Sequence, residues 1–300
     1  MKKSISMLLA AMMLTGALSG CGGSSSSASS DSQASGNGSG VSGAITVISR
    51  EDGSGTRGAF IELTGVEEKN DAGEKIDNTT ADAEIANKTD VVLTSVAGNE
   101  KAIGYISLGA LNDTVKAVKV DGAEATVDNV KAGTYKLSRP FNIATKGEPT
   151  GVAKDFISFI LSKEGQAVVT DNKYIAVNDE AESFVSDGSS GQIAVGGSSS
   201  VSPVMEKLIE AYKSVNPNAS IDLQTSDSTS GMTGAMDGTF AIGMASRELK
   251  DEEAAQLTGT AIALDGIAVI VNPANTIDEL SMDQIKSIYV GDITDWGDLA

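Results

Sequence analysis

The sequence predicts an α/β fold from the repeated order of strand, polar glycine loop and helix. Ile45, Thr46, Val47 and Ile48 form a β-rich run that leads into a polar loop at residues 49–55 and then into a helical pattern with Ala59, Phe60 and Leu63. Ile193, Ala194 and Val195 repeat that order before Gly196-Gly197-Ser198-Ser199-Ser200. An expected helix at residues 151–169, with Phe156, Ile157, Ile160 and Leu161 inward, and a strongly apolar strand at residues 262–271 continue the alternation.

Taken in order, the chain opens on a secretory pattern. Lys2 and Lys3 supply a charged start, and residues 7–14 form an apolar run too short to cross a bilayer. Leu18-Ser19-Gly20-Cys21 matches the lipobox, at which a lipoprotein signal is cleaved and the new N-terminal cysteine acylated, so residues 1–20 read as signal and Cys21 as the lipidation site. Cys21 is the only cysteine in 300 residues, which leaves no disulfide within the chain. Residues 21–43 are Gly/Ser-rich with few apolar side chains, so they cannot offset their own ordering entropy and read as a flexible tether.

Beyond the strand and loop at residues 45–55, the second serine loop is followed by Ser202 as an expected N-cap and Pro203 as an expected first helical residue. That helix carries Val204, Leu208, Tyr212 and Val215 on one face, and Asn216-Pro217 stops it. A third polar loop is expected at residues 226–234 (SDSTSGMTG), ahead of residues 240–247 (FAIGMASR). Residues 186–191 (SDGSSG) read by composition as an interdomain linker.

Composition excludes several functions. The formal charge is −19, and loss of a signal with two lysines and no acid makes the mature chain more negative still. Such a surface argues against nucleic acid and anionic membrane faces as partners. With no histidine and one cysteine, Ser-His catalysis and the usual zinc sites are disfavoured, and no metal or cofactor is expected. Gly53-Ser54-Gly55 lacks the spacing of a nucleophile elbow, and no nucleotide phosphate loop is present. What the loops do offer is free N–H groups at helix starts, joined by hydroxyls and by Arg50, the simplest means of holding an oxyanion.

The quoted stretches, with residues 285–299 (IKSIYVGDITDWGDL), 49–60 (SREDGSGTRGAF), 102–111 (AIGYISLGAL), 135–141 (YKLSRPF), 242–253 and 263–273, resemble the substrate-binding proteins of the high-affinity phosphate ABC transporter. The resemblance implies a two-lobed periplasmic-binding-protein fold (type II). Their order differs from the family's, in which the serine loop comes first, and implies a circular permutation with residues 186–191 bridging the former termini. The competing reading is a truncated member of a longer tandem product. Permutation implies one lobe of residues 138–265, a second of 44–137 with 266–300, and ends near 44 and 300 that lie close together.

The resemblance further implies that inorganic phosphate lies between the lobes. Arg50, Ser54, Gly55 and Thr56 match one anion loop; Ser199, Ser200 and Val201 match a second; Thr229 and Ser230 match a third. Arg57 and Arg139 are expected to be structural. Many members carry an aspartate where this chain has Arg247, and Asp265 is the expected substitute acceptor for the phosphate proton, with a hinge role as its alternative. The implied function is a non-enzymatic, lipid-anchored, extracytoplasmic monomer that delivers phosphate to ABC permease subunits; a sensor or adhesin of the same fold is the alternative.

Overall fold

A computed structural model describes residues 41–299. Cys21, the signal and most of the tether lie outside the described residues. The first half of the body runs β1 (Thr46–Arg50), α1 (Gly55–Thr64), a hairpin of β2 (Glu67–Lys69) and β3 (Lys75–Asp77), β4 (Glu84–Ala86), α2 (Thr89–Ala97) and β5 (Ala102–Ser107). Short strands β6 (Lys116–Ala117) and β7 (Lys119–Val120) and helix α3 (Val127–Lys131) lead to β8 (Ser138–Thr145), α4 (Gly151–Ile160) and α5 (Lys163–Asp171). The second half is β9 (Gly191–Ser198), α6 (Ser202–Val215), β10 (Ala219–Ser226), α7 (Ser228–Asp237), β11 (Ile242–Ala245), α8 (Asp251–Ala254), β12 (Thr258–Val271), β13 (Glu279–Leu280) and α9 (Met282–Val290).

β2 pairs with β3 and β7 with β13 in two small sheets, while nine strands form one curled sheet in the order β10-β9-β11-β8-β12-β5-β1-β4, with β6 also on β12. Its continuity depends on β12. Residues 258–266 of that strand pair antiparallel with β8, and residues 267–271 pair with β5, so one strand belongs to both halves of the sheet. The run from Ile267 to Val271 is buried throughout because elements cover both faces there. A register shift between Ala261 and Ala263 brings Asp265 directly opposite Arg139.

Two large apolar clusters lie on the two halves. One joins Phe60, Tyr105, Ile267, Ile270, Tyr289 and Trp296, and the other Phe141, Phe156, Val195, Leu208, Tyr212 and Ile262. Within the first, the Phe60 and Tyr105 rings stack with centroids 3.9 Å apart, and Tyr289 meets Phe60 edge-on at 4.7 Å. The described ends of the body are paired: Ile45 N donates to Thr294 O at 2.8 Å, and Trp296 N to Gly43 O at 3.2 Å.

Four local expectations change. α6 starts one residue earlier than expected, with Val201 at the N-cap position, Ser202 as its first residue and Pro203 as its second. The segment at 151–169 is two helices, because Ser162 ends the first turn sequence and caps α5 by accepting from Gly165 N. Residues 228–234 are not a loop but the first turns of α7, capped by Asp227. Residues 186–191 do not link separate domains, since α5 before them and β9 after them feed the same cluster.

That segment is tied down by Asp155. Its buried carboxylate accepts from Tyr212 Oη at 2.7 Å, Ser186 Oγ at 2.8 Å, Asp187 N at 2.9 Å and Asn216 Nδ2 at 3.1 Å. Burial alone would raise its pKa, but these donors outweigh burial and hold the carboxyl below its ordinary value. A lowered folded-state pKa means stabilisation that is present above the unfolded value and lost as pH falls through the folded one. Asp155→Ala is expected to cost about 3 kcal/mol at neutral pH, since four charge-assisted bonds disappear and donors are left unpaired. Denaturant titrations of both proteins should converge as pH drops below about 4; a constant difference across that range would show that the charge of Asp155 is not what stabilises the segment.

Candidate functional site

β1 delivers Arg50 to the carboxyl edge of the sheet, where Tyr105 fixes it: the Arg50 amide donates to Tyr105 Oη at 3.1 Å, and Ser49 Oγ lies 3.0 Å from the same oxygen. The Arg50 side chain is 1% exposed. Its Nε and Nη2 donate to the Glu51 carboxylate at 2.8 and 2.7 Å, and Nη2 also reaches Ser199 Oγ at 3.1 Å. Nη1 is buried without a protein partner. Leaving a buried charged donor unpaired is costly, which marks it as a functional group rather than a packing detail.

The loop after Arg50 turns into α1 through Ser54, whose hydroxyl accepts from Arg57 N at 3.3 Å. Gly55 and Thr56 are the first residues of the helix, so their N–H groups have no acceptor within it and sit at the positive end of its dipole. Arg57 braces the loop, donating Nη1 to Arg50 O at 2.8 Å and to Asp52 Oδ1 at 2.7 Å, and Nε to Asp77 at 2.9 Å. The structural role expected of Arg57 is the one observed.

Three more helix starts converge here. Thr56 Oγ1 lies 2.8 Å from Ser200 Oγ, in the loop leading into α6. Thr89, the first residue of α2, approaches Ser199 and Ser200 at 3.5 and 3.4 Å. Ser198 Oγ donates to Ser246 Oγ at 2.9 Å, and the Ser246 amide donates to Ser228 Oγ, at the start of α7, at 3.1 Å. Close approach is built into the backbone. A Cβ on Gly55 would collide with the Ser228 and Ser246 hydroxyls, and Gly197, at φ +135°, leaves no room for one beside the Met244 carbonyl.

The structure thus gathers Arg50, Ser54, Gly55, Thr56, Ser199 and Ser200 into one buried, hydroxyl-lined cluster. The other expected residues fall elsewhere. Val201 is a core side chain whose amide closes a turn onto Ser198 O at 3.0 Å, so it has no donor to offer. Thr229 uses its amide and hydroxyl on Gly53 O at 3.2 and 3.3 Å. Ser230 is exposed and folds back on Asp227 to complete the α7 cap. Ser228, one residue earlier, is the member of that segment that enters the cluster, because the cap begins at Asp227. Thr89, Ser198 and Ser246 were also missed, although Thr89-Asp90 is a plausible helix-start signal.

Asp265 is 1% exposed and fully engaged at the strand crossover. It accepts from Ser107 Oγ at 2.9 Å and Arg139 Nη2 at 3.3 Å, with the Gly109 amide at 3.5 Å. Both of its oxygens are taken by protein donors. Burial pushes its carboxyl up to about 6 and brings the Arg139 guanidinium down to about 10, Arg139 and Asp265 each partly offsetting the other's shift. Arg247, in place of the family's aspartate, grips Glu253 with both terminal nitrogens at 2.7 and 2.8 Å. Beside α1 a groove of about 630 Å³ opens between Gly58, Leu63, Arg139, Arg247 and Leu249. No cluster of three or more metal-ligating side chains occurs among the described residues.

Comparison with known proteins agrees with this architecture. The PBP superfamily domain matches residues 26–164 and 183–300. "Phosphate-binding protein PstS 2" of Streptococcus agalactiae serotype V is 50% identical over 301 residues, covering 99% of this chain and 98% of that protein. Its namesake in Streptococcus pneumoniae serotype 4 is 51% identical over 256 residues, 85% of this chain and 88% of the other. The crystal structure of a phosphate ABC transporter, phosphate-binding protein from Streptococcus pneumoniae TIGR4 superposes with a TM-score of 0.69 at 50% identity, covering 86% of this chain and all of that one. With half of its residues shared over nearly its whole length, the chain belongs to the PBP superfamily and, within it, to the family of PstS phosphate-binding proteins.

Proposed function

We propose that this chain is a non-enzymatic binding protein that closes on inorganic phosphate and presents it to the membrane subunits of an ABC importer. One observation carries the reading: four helix N-termini and the buried, incompletely paired guanidinium of Arg50 meet in one hydroxyl-lined cluster. Aligned N–H groups and a fixed guanidinium suit a tetrahedral dianion, and charge-assisted bonds of about 1.5–3 kcal/mol each give micromolar or tighter affinity from a handful of donors. The relatives' names point the same way. Calorimetric titration with phosphate, sulfate, molybdate and an organic phosphonate tests it; phosphate should bind most tightly, and a preference for sulfate would overturn the assignment.

The two apolar clusters support lobes of residues 138–265 and of 44–137 with 266–300, joined at β8 and β12. The paired ends at residues 43–45 and 294–296 support a permuted order. So does the phosphate-binding protein PstS of Bacillus subtilis, 34% identical over only 45% of this chain, since one colinear alignment can follow only one side of an exchanged junction. Acylation at Cys21 and attachment to the outer face of the membrane fit the lipobox, and the protein works as a monomer between the tether and the permease.

Discrimination between phosphate and sulfate falls to the hydroxyls. Both Glu51 oxygens are held by Arg50, and Asp265 is spent on the hinge. Serine and threonine oxygens can accept the phosphate proton as well as donate. Asp265→Asn should therefore weaken phosphate and sulfate alike and leave their affinity ratio unchanged by calorimetry; a ratio that narrows would return Asp265 to the role of proton acceptor.

A further inference from the structure

Arg139 has more buried donor capacity than its ion pair uses. It lies on β8, opposite Asp265 on β12, and its side chain is 2% exposed. Nη2 holds Asp265, while Nε and Nη1 are both buried without a protein partner. A guanidinium kept only to pair with a hinge carboxylate gains nothing from two unsatisfied N–H groups, each of which carries a desolvation penalty. The other buried arginine, Arg50, shows the same deficit at Nη1, and its charge is near enough to help lower the pKa of Arg139, after the larger effect of burial. Both guanidinium groups thus lie in the interior, each with one acidic partner and unpartnered donors.

We propose that Arg139 is a second charged donor of the anion site, aimed from the hinge and held in position by Asp265. The inference rests on the phosphate-capture reading. A dianion between the lobes satisfies both guanidinium groups at once and removes the repulsion between them, so ligand binding is written directly into the two strands that cross between lobes. Asp265 is then a positioning residue: it fixes the Arg139 fork, and its own oxygens do not meet the ligand.

The test uses the full chain with nitrogen-15 arginine. In the wild-type protein, phosphate titration should shift the Arg139 Nε–H resonance, assigned by its loss in Arg139→Lys. The double variant Arg139→Gln/Asp265→Asn, which removes both charges together and strands neither, should fold and bind phosphate at least about tenfold more weakly. An Arg139 resonance that stays put while phosphate binds overturns the proposal, and so does a folded double variant with affinity within about twofold of wild type. If the double variant fails to fold, the wild-type resonance decides alone. A wild-type protein that does not bind phosphate at all overturns the capture reading itself, and this inference with it.

Discussion

Arg50→Ala is expected to weaken phosphate binding by about 2 to 5 kcal/mol, the range for removing one partner of a buried charged contact. Three consequences add in the same direction. The substitution removes a guanidinium that touches the serine loop directly, through Ser199. It releases Glu51 from both of its bonds, so a free carboxylate is left beside the anion. It also empties a site that Tyr105 and β1 have already paid to order, whereas the fold itself retains the core beneath. Calorimetry should therefore show at least about a thirtyfold loss of affinity with little change in thermal stability. A loss below about tenfold would put the anion elsewhere.

Phe60→Ala should produce the largest loss of stability, about 4 kcal/mol, as expected when a fully buried aromatic is deleted from a packed core. Phe60 is inaccessible to solvent, stacks on Tyr105 and receives the edge of Tyr289. Because it sits on the second turn of α1, its loss also loosens the helix whose first N–H groups serve the site. Urea unfolding should show the full decrease, and phosphate should recover part of it, since a ligand that binds only the native state stabilises by mass action. A change below about 1 kcal/mol would mean that α1 is held mainly by its cap and by Arg57.

How much of this was legible depended on whether a local signal existed. β1, its glycine loop and α1 could be read because a β-branched run, a serine cap and a helical stripe follow one another, and Arg50, Ser54, Gly55 and Thr56 came with them. α7 was read as a loop because Ser-Thr-Ser-Gly-Met-Thr-Gly has no apolar stripe and low helix propensity. Its helicity comes from packing on β9 and β11, where Gly231 lets the backbone approach Gly197. That reading pointed to Thr229 and Ser230, whereas Ser228 is the residue of the segment that joins the hydroxyl cluster.

The placement of Asp265 was illegible for a different reason. Its partner Arg139 is far away in sequence, and only the register of β8 on β12, with the shift at Ala261–Ala263, sets the two opposite each other. Composition misread residues 186–191 in the same way: Gly and Ser suggest a free linker, while Asp155 and Asn216, distant in sequence, pin the segment.

A crystal structure of the protein with phosphate tests the central claim most directly. The anion should lie within hydrogen-bond distance of Arg50 Nη1, of the Gly55 and Thr56 amides and of the Ser199 or Ser200 hydroxyl, with Glu51 still on Arg50. Phosphate bound in the groove beside Leu63 and Leu249, or anywhere that leaves Arg50 Nη1 and the start of α1 unbonded, would contradict the account.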